Sequence, residues 1–389
     1  MQDRTSAQRE ISVNQNVRAR STGRVLVFVI PLLVACLIVV LFNSILPRLT
    51  NYYYWVKPNS TMGWAVQTPD VVLHQIVPGK KNVVVIGDSR VSEGFSAVQA
   101  NKISERSDIN FIQAGVPGTT PRVWYYLLGK IDPDHKLFAA VVLMAPRFDD
   151  DNDANDLTNN AIDLTYLTPL TDFRDIPEIV GSFTGIREKI HALGTLISPL
   201  VTAREDLFDF VSDPALRIRD AKAYHEHFAE WLLDYKAPAI SLPSLQPSQL
   251  KSFAVDVLKR PPIIADEIRS YMDSVITNRP GLSPAHSTAY RNEWYGKIAH
   301  EYAASKTPVL IFQVPRGPYE SFAHRPISVD SALKSLDREK RITLLDPSPF
   351  EHMEQPDMFQ DALHVNRSGQ IAMTSALTRL VVQQIPGGK

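Results

Sequence analysis

Only one cysteine, Cys36, stands in the 389 residues, so no disulfide can close within the chain and no thiolate cluster can hold a metal. Its neighbours are apolar, which makes it packing material rather than a nucleophile. Excess charge is missing as well. The 41 basic and 42 acidic residues leave a formal net charge of -1, which gives no bulk electrostatic reason to expect nucleic acid as a partner. Neither an internal repeat nor a low-complexity tract stands out. What is present is ample apolar material, 44% of the chain, enough for two domains or for one domain carrying a large insertion.

The polarity is unevenly spread. Residues 1–24 carry Arg4, Arg9, Arg18, Arg20 and Arg24 against Asp3 and Glu10 with no apolar period, the composition of a disordered basic tail. From Val25 to Phe42 no charged or strongly polar side chain occurs, and with Ile45 and Leu46 the run exceeds the ~20 residues a helix needs to cross a bilayer. A single membrane anchor over 25–46 is expected, with Pro31 tolerable inside it. The residues that follow the run form a poor small-residue cleavage site, so the anchor should stay uncleaved. Tyr52, Tyr53, Tyr54 and Trp55 then read as an aromatic belt at the outer interface. The arginine excess before the span puts the amino terminus in the cytoplasm and everything from about residue 47 outside it. Residues 47–80, with Pro58, Pro69 and Pro78, read as a stalk leading to a globular domain over 81–389.

That domain is organised around Val83-Val84-Val85-Ile86-Gly87-Asp88-Ser89. Four apolar residues without alternation predict a strand buried on both faces, the habit of parallel sheets covered by helices. A serine just beyond the carboxyl end of such a strand sits where α/β folds bind ligands, which makes Ser89 a candidate nucleophile, although Gly-Asp-Ser is also ordinary turn composition. Ser96-Ala97-Val98-Gln99 has capping-box spacing and predicts a helix from 97 to about 106. Further buried strands are expected at 109–112, 139–144, 308–314 and 342–345, with helices at 292–304, 331–340 and 369–384. Helices alternating with unbroken apolar strands predict an α/β fold with a parallel five-stranded sheet. Between about 150 and 285 apolar residues recur at helical spacing and prolines interrupt them, so a mainly helical insertion is expected there.

The second half of the chemistry lies near the other end, in Asp361-Ala362-Leu363-His364-Val365-Asn366. Asp and His three apart in a tight turn can point the same way, the carboxylate taking the imidazole Nδ1 proton and leaving Nε2 to accept a serine proton. Asp132-Pro133-Asp134-His135 fits the same spacing but precedes a strand, on the wrong side of the sheet for Ser89. The acidic stretch from Asp149 to Asp156 lacks the glycine and the bidentate glutamate of a calcium loop, and His225 and His227 point to different helix faces. No metal site is expected. Arg316, after the fourth strand, would face the same rim as Ser89 and either bind an anionic group or cap a carbonyl.

Together, Gly87-Asp88-Ser89, Gly118 in the turn after the second strand, and Asp361-x-x-His364-x-Asn366-x-x-Gly369 resemble the GDSL or SGNH hydrolase superfamily. The likeness covers roughly 83–146 and 306–385 and leaves the insertion unmatched. It implies a flavodoxin-like three-layer α/β/α sandwich, with Ser89 as nucleophile, His364 as base and Asp361 as its orienter. It also implies an oxyanion hole made by the amides of Ser89 and Gly118, and no cofactor. The superfamily usually places an Asn after the third strand. Here Ala145-Pro146-Arg147-Phe148-Asp149 stands instead, so Arg147 or Asn152 is left as the further donor. In this respect the chain is similar to membrane-anchored SGNH-like proteins that work with membrane-bound O-acyltransferases on envelope polymers. The implied activity is that of an extracytoplasmic serine esterase or O-acyltransferase acting on an acylated carbohydrate, with a membrane-bound O-acyltransferase as partner. The alternative is an accessory protein of the same fold that binds polysaccharide or docks such an acyltransferase without turnover.

Overall fold

The structure is a computed structural model that describes residues 52–145, 157–233, 235–242, 284–319 and 331–387, with scattered helical residues between 29 and 50. Among the described residues no helix is long and apolar enough to cross a membrane. Half of the expected anchor at 25–46 lies outside them, and so do Arg147, Asn152 and the acidic stretch around them.

Five strands form one sheet: β1 (Lys81–Gly87), β2 (Ile109–Gly115), β3 (Ala140–Ala145), β4 (Val309–Gln313) and β5 (Thr343–Leu344). All neighbours are parallel, in the order β2-β1-β3-β4-β5, which reverses direction between β1 and β3 and makes the fold doubly wound. The unbroken apolar runs explain the burial. Val83, Val84, Val85 and Ile86 are each 0% exposed, because helices cover both faces of a parallel sheet.

Those helices are α1 (Thr61–His74), α2 (Ser89–Gly94), α3 (Ala97–Ile103), α4 (Pro121–Ile131), α5 (Ile162–Leu170), α6 (Ile176–Ser182) and α7 (Ile186–Ile197). They continue with α8 (Pro199–Thr202), α9 (Arg204–Ser212), α10 (Pro214–Leu233), α11 (Pro284–Ala303), α12 (Ser331–Arg338), α13 (Ser348–Glu351) and α14 (Arg367–Gln384). They pack in two sets: α14 lies against α2 and α3, while α4 lies against α5 and α11, and α11 against α12. The layers are therefore helix, sheet, helix. The described part of the expected insertion, α5 to α10, is helical as its apolar spacing predicted.

Two expectations at the front of the domain give way. The stretch read as a stalk contains α1, whose Ala65, Val71 and Val72 are buried in the domain. Ser60 caps it by accepting from Gly63 N–H at 3.0 Å, and Pro69 costs it one internal hydrogen bond, which burial of that apolar face offsets. The aromatic run, read as a membrane belt, packs against the insertion instead. Tyr52 is buried and donates to Asp206 at 2.7 Å, and the Tyr54 ring stacks on His225 with centroids 4.0 Å apart. Protein surface satisfies these rings as well as a lipid interface would.

Candidate active site

Ser89 is the first residue of α2, directly past the carboxyl end of β1. Asp88 caps this short helix by accepting from Arg90 N–H at 2.8 Å and pairs with the Arg90 guanidinium at 2.9 Å, which fixes the turn that presents the hydroxyl. Gly87 is needed for close approach rather than for turn freedom. A Cβ there would lie 2.3 Å from the Val91 Cγ2 and 2.8 Å from the Met144 Cβ.

The loop from Phe359 to Val365 is closed by an antiparallel bridge between those two residues and by Gln360 N–H donating to His364 O at 2.9 Å. Inside it, Asp361 Oδ1 accepts from Leu363 N–H at 2.9 Å and from His364 N–H at 2.6 Å. These are the local bonds by which an Asp builds its own turn. The same carboxylate lies 2.9 Å from His364 Nδ1, and His364 Nε2 lies 2.7 Å from Ser89 Oγ. A hydroxyl and an imidazole 275 residues apart thus meet within hydrogen-bond reach. Asp132 and His135 form no such relay, because Asp132 is buried and spends its carboxylate on the amides of Lys136 and Leu137.

Electrostatics favour a strong base. Burial works to lower the His364 pKa, and the carboxylates of Asp361, Glu93 and Asp88 outweigh it, so the imidazole holds its proton above the ordinary value of 6.5. Burial works to raise Asp361, but its bonds to the His364 ring and to the two loop amides hold it below its usual value.

Gly118 follows β2 with φ +71, a left-handed conformation that glycine adopts without strain. Its loop is tied to β1 near Ser89: Val116 N–H donates to Gly87 O at 2.8 Å, and Tyr166 O–H donates to Pro117 O. Arg316 is spent elsewhere, buried in a bidentate pair with Glu354 in which Nη2 reaches Oε2 at 2.8 Å. That pair satisfies the carboxylate-matching fork and removes the arginine from the set of substrate contacts. Among the described residues no group of His, Cys, Asp and Glu is arranged to hold a metal ion.

Three residues that sequence reasoning missed complete the site. Glu93 Oε1 lies 3.9 Å from His364 Nε2, while its Oε2 accepts from Gln360 Nε2 at 2.8 Å and from Tyr235 O–H at 3.2 Å. Burial pushes the Glu93 pKa up, with the His364 charge opposing. The missed signal was its place four residues after Ser89 in a helix, on the same face. Ionised Glu93 stabilises the imidazolium, so Glu93→Gln is expected to let the histidine lose its proton more easily. The acid limb of a pH profile of kcat/KM should then move to lower pH. An unmoved limb would remove Glu93 from the electrostatics of the base.

A scan against protein-family models gives no match for this chain, and a search of curated proteins gives none.

Proposed function

We propose that the chain is an SGNH-type serine esterase or O-acyltransferase that acts through an acyl-serine on Ser89. One observation carries this reading: Ser89 Oγ, the His364 ring and Asp361 stand in line at 2.7 and 2.9 Å. The strand order 2-1-3-4-5 supports the flavodoxin-like version of the sandwich.

In this mechanism His364 Nε2 takes the Ser89 proton as the oxygen attacks an ester carbonyl. Asp361 holds the imidazole with its proton on Nδ1 and stabilises the cation that forms. The amides of Ser89 and Gly118 receive the oxyanion; the Ser89 amide opens α2 and therefore has no partner within that helix. His364 then returns the proton to the departing alcohol. Water or a sugar hydroxyl, activated by the same base, releases the acyl group. The apolar run from Val25 to Phe42 supports an anchor that holds this domain at the outer face of a cytoplasmic membrane, where an acylated envelope carbohydrate and a membrane-bound O-acyltransferase would be at hand.

A fluorophosphonate probe tests the reading. The full chain in detergent should take up about one probe per molecule, and Ser89→Ala should take up none. A parent chain that stays unlabelled would favour the accessory protein without turnover.

A further inference from the structure

A cleft of about 270 Å³ opens beside the triad, lined by the apolar and aromatic faces of Trp64 of α1, Pro117, and Tyr224, Phe228 and Leu232 of α10, with Ser92, Glu93 and Tyr235 as its polar members. The aromatic rings brace one another. Trp64 meets Phe228 edge-on with centroids 4.9 Å apart, and Tyr224 stacks on Phe228 at 4.6 Å. The lining of the cleft borders the triad at two points. Glu93 shares α2 with Ser89 and stands 3.9 Å from the catalytic imidazole, and Pro117 immediately precedes Gly118.

An ester has two halves, and the chemistry of the lining selects between them. A sugar placed here would bury hydroxyls against aromatic and aliphatic side chains, where unpaired polar groups are costly. The carboxylate in the wall offers little relief, since Gln360 and Tyr235 already bond to it at 2.8 and 3.2 Å. A hydrocarbon chain brings no hydroxyl that would be left unpaired there. At roughly 30 Å³ for an atom of water size, the cleft accepts on the order of nine heavy atoms.

We propose that this cleft between α1, α2 and α10 receives the acyl chain of the substrate, so that the enzyme handles medium-length acyl esters of up to about eight carbons rather than acetyl esters alone. The inference rests on the reading of Ser89 as an acylated nucleophile. It also gives the helical insertion a task, since α10 supplies Tyr224, Phe228 and Leu232 to the wall.

The test is a series of p-nitrophenyl esters from acetyl to octanoyl, with the leaving group constant and the full chain in detergent. kcat/KM should rise at least about tenfold from acetyl to hexanoyl, as expected for methylenes entering an apolar pocket. Leu232→Trp should fill the cleft and abolish that gain. The parent series needs no variant, so it decides even if the replacement does not fold. A flat or falling series, with acetyl ester still turned over through Ser89, overturns the cleft assignment and leaves the nucleophile standing. So does a rising series that a folded Leu232→Trp variant retains. If no ester is turned over and no fluorophosphonate adduct forms, both readings fall.

Discussion

Asp361→Asn is expected to lower ester turnover about 10⁴-fold while the protein stays folded. The size of the effect follows from which oxygen does what. Oδ1 accepts the amides of Leu363 and His364 at 2.9 and 2.6 Å, and an asparagine oxygen can keep both bonds, so the loop survives. Facing Nδ1, where Oδ2 now lies at 2.9 Å, the variant presents an NH₂ group. Two donors cannot meet, and the ring must move its proton to Nε2, the atom that has to accept from Ser89 at 2.7 Å. The base is then protonated at its working end. Steady-state kinetics with an activated ester, alongside far-ultraviolet circular dichroism, would check both halves. A variant that retains more than about a tenth of the parent rate would show that Asp361 only shapes the loop.

What could be read in advance divides along a physical line. Strands β1 to β4 were legible because burial on both faces favours unbroken apolar runs; Val83–Ile86 and Val141–Met144 are apolar throughout, while β2 and β4 admit the buried Asn110, Gln113 and Gln313. Asp361 and His364 were legible because their partnership is local: three residues and one turn bring them together, and the parallel sheet supplies Ser89 at the same edge. Pairings across long stretches of sequence leave no such mark. Nothing near Arg316 announces Glu354, which lies 38 residues away, so on the site rim it was expected to bind an anionic group or cap a carbonyl. Nothing near Glu93 marks it out, because its bonds to Gln360 and Tyr235 reach across 267 and 142 residues. Prolines misled at α1, where Pro69 suggested a break but the buried face around it holds the helix. The packing that requires Gly87, against Val91 and Met144, cannot be seen in a tripeptide.

Asp163→Ala is expected to cost about 3–5 kcal/mol of stability, the usual range when one member of a buried ion pair is removed. Asp163 and Arg122 are both 0% exposed and meet at 2.8 Å. The guanidinium also donates to Thr158 O at 3.1 Å and to Ser182 Oγ at 3.0 Å, and it lies 4.1 Å from the Phe183 ring centre. Without the carboxylate those partners remain, but the buried cation has no counter-charge, and that is the larger cost. Replacing both residues with apolar ones, Arg122→Met with Asp163→Leu, should therefore recover much of the loss, which urea unfolding of the two variants would measure. The pair also reaches the candidate site. Asp163 accepts from the Thr120 hydroxyl at 2.7 Å, and Thr120 stands two residues past Gly118, in the loop whose amide is assigned to the oxyanion. Helix α5, which carries Asp163, sends Tyr166 to the carbonyl of Pro117 as well. The insertion thus holds the oxyanion loop at two points, and a double variant that recovers stability should still turn over ester more slowly than the parent, because Thr120 has lost the Asp163 carboxylate and keeps only the Tyr290 hydroxyl at 2.7 Å. Full activity in that variant would mean that the Tyr166 contact alone keeps Gly118 in position.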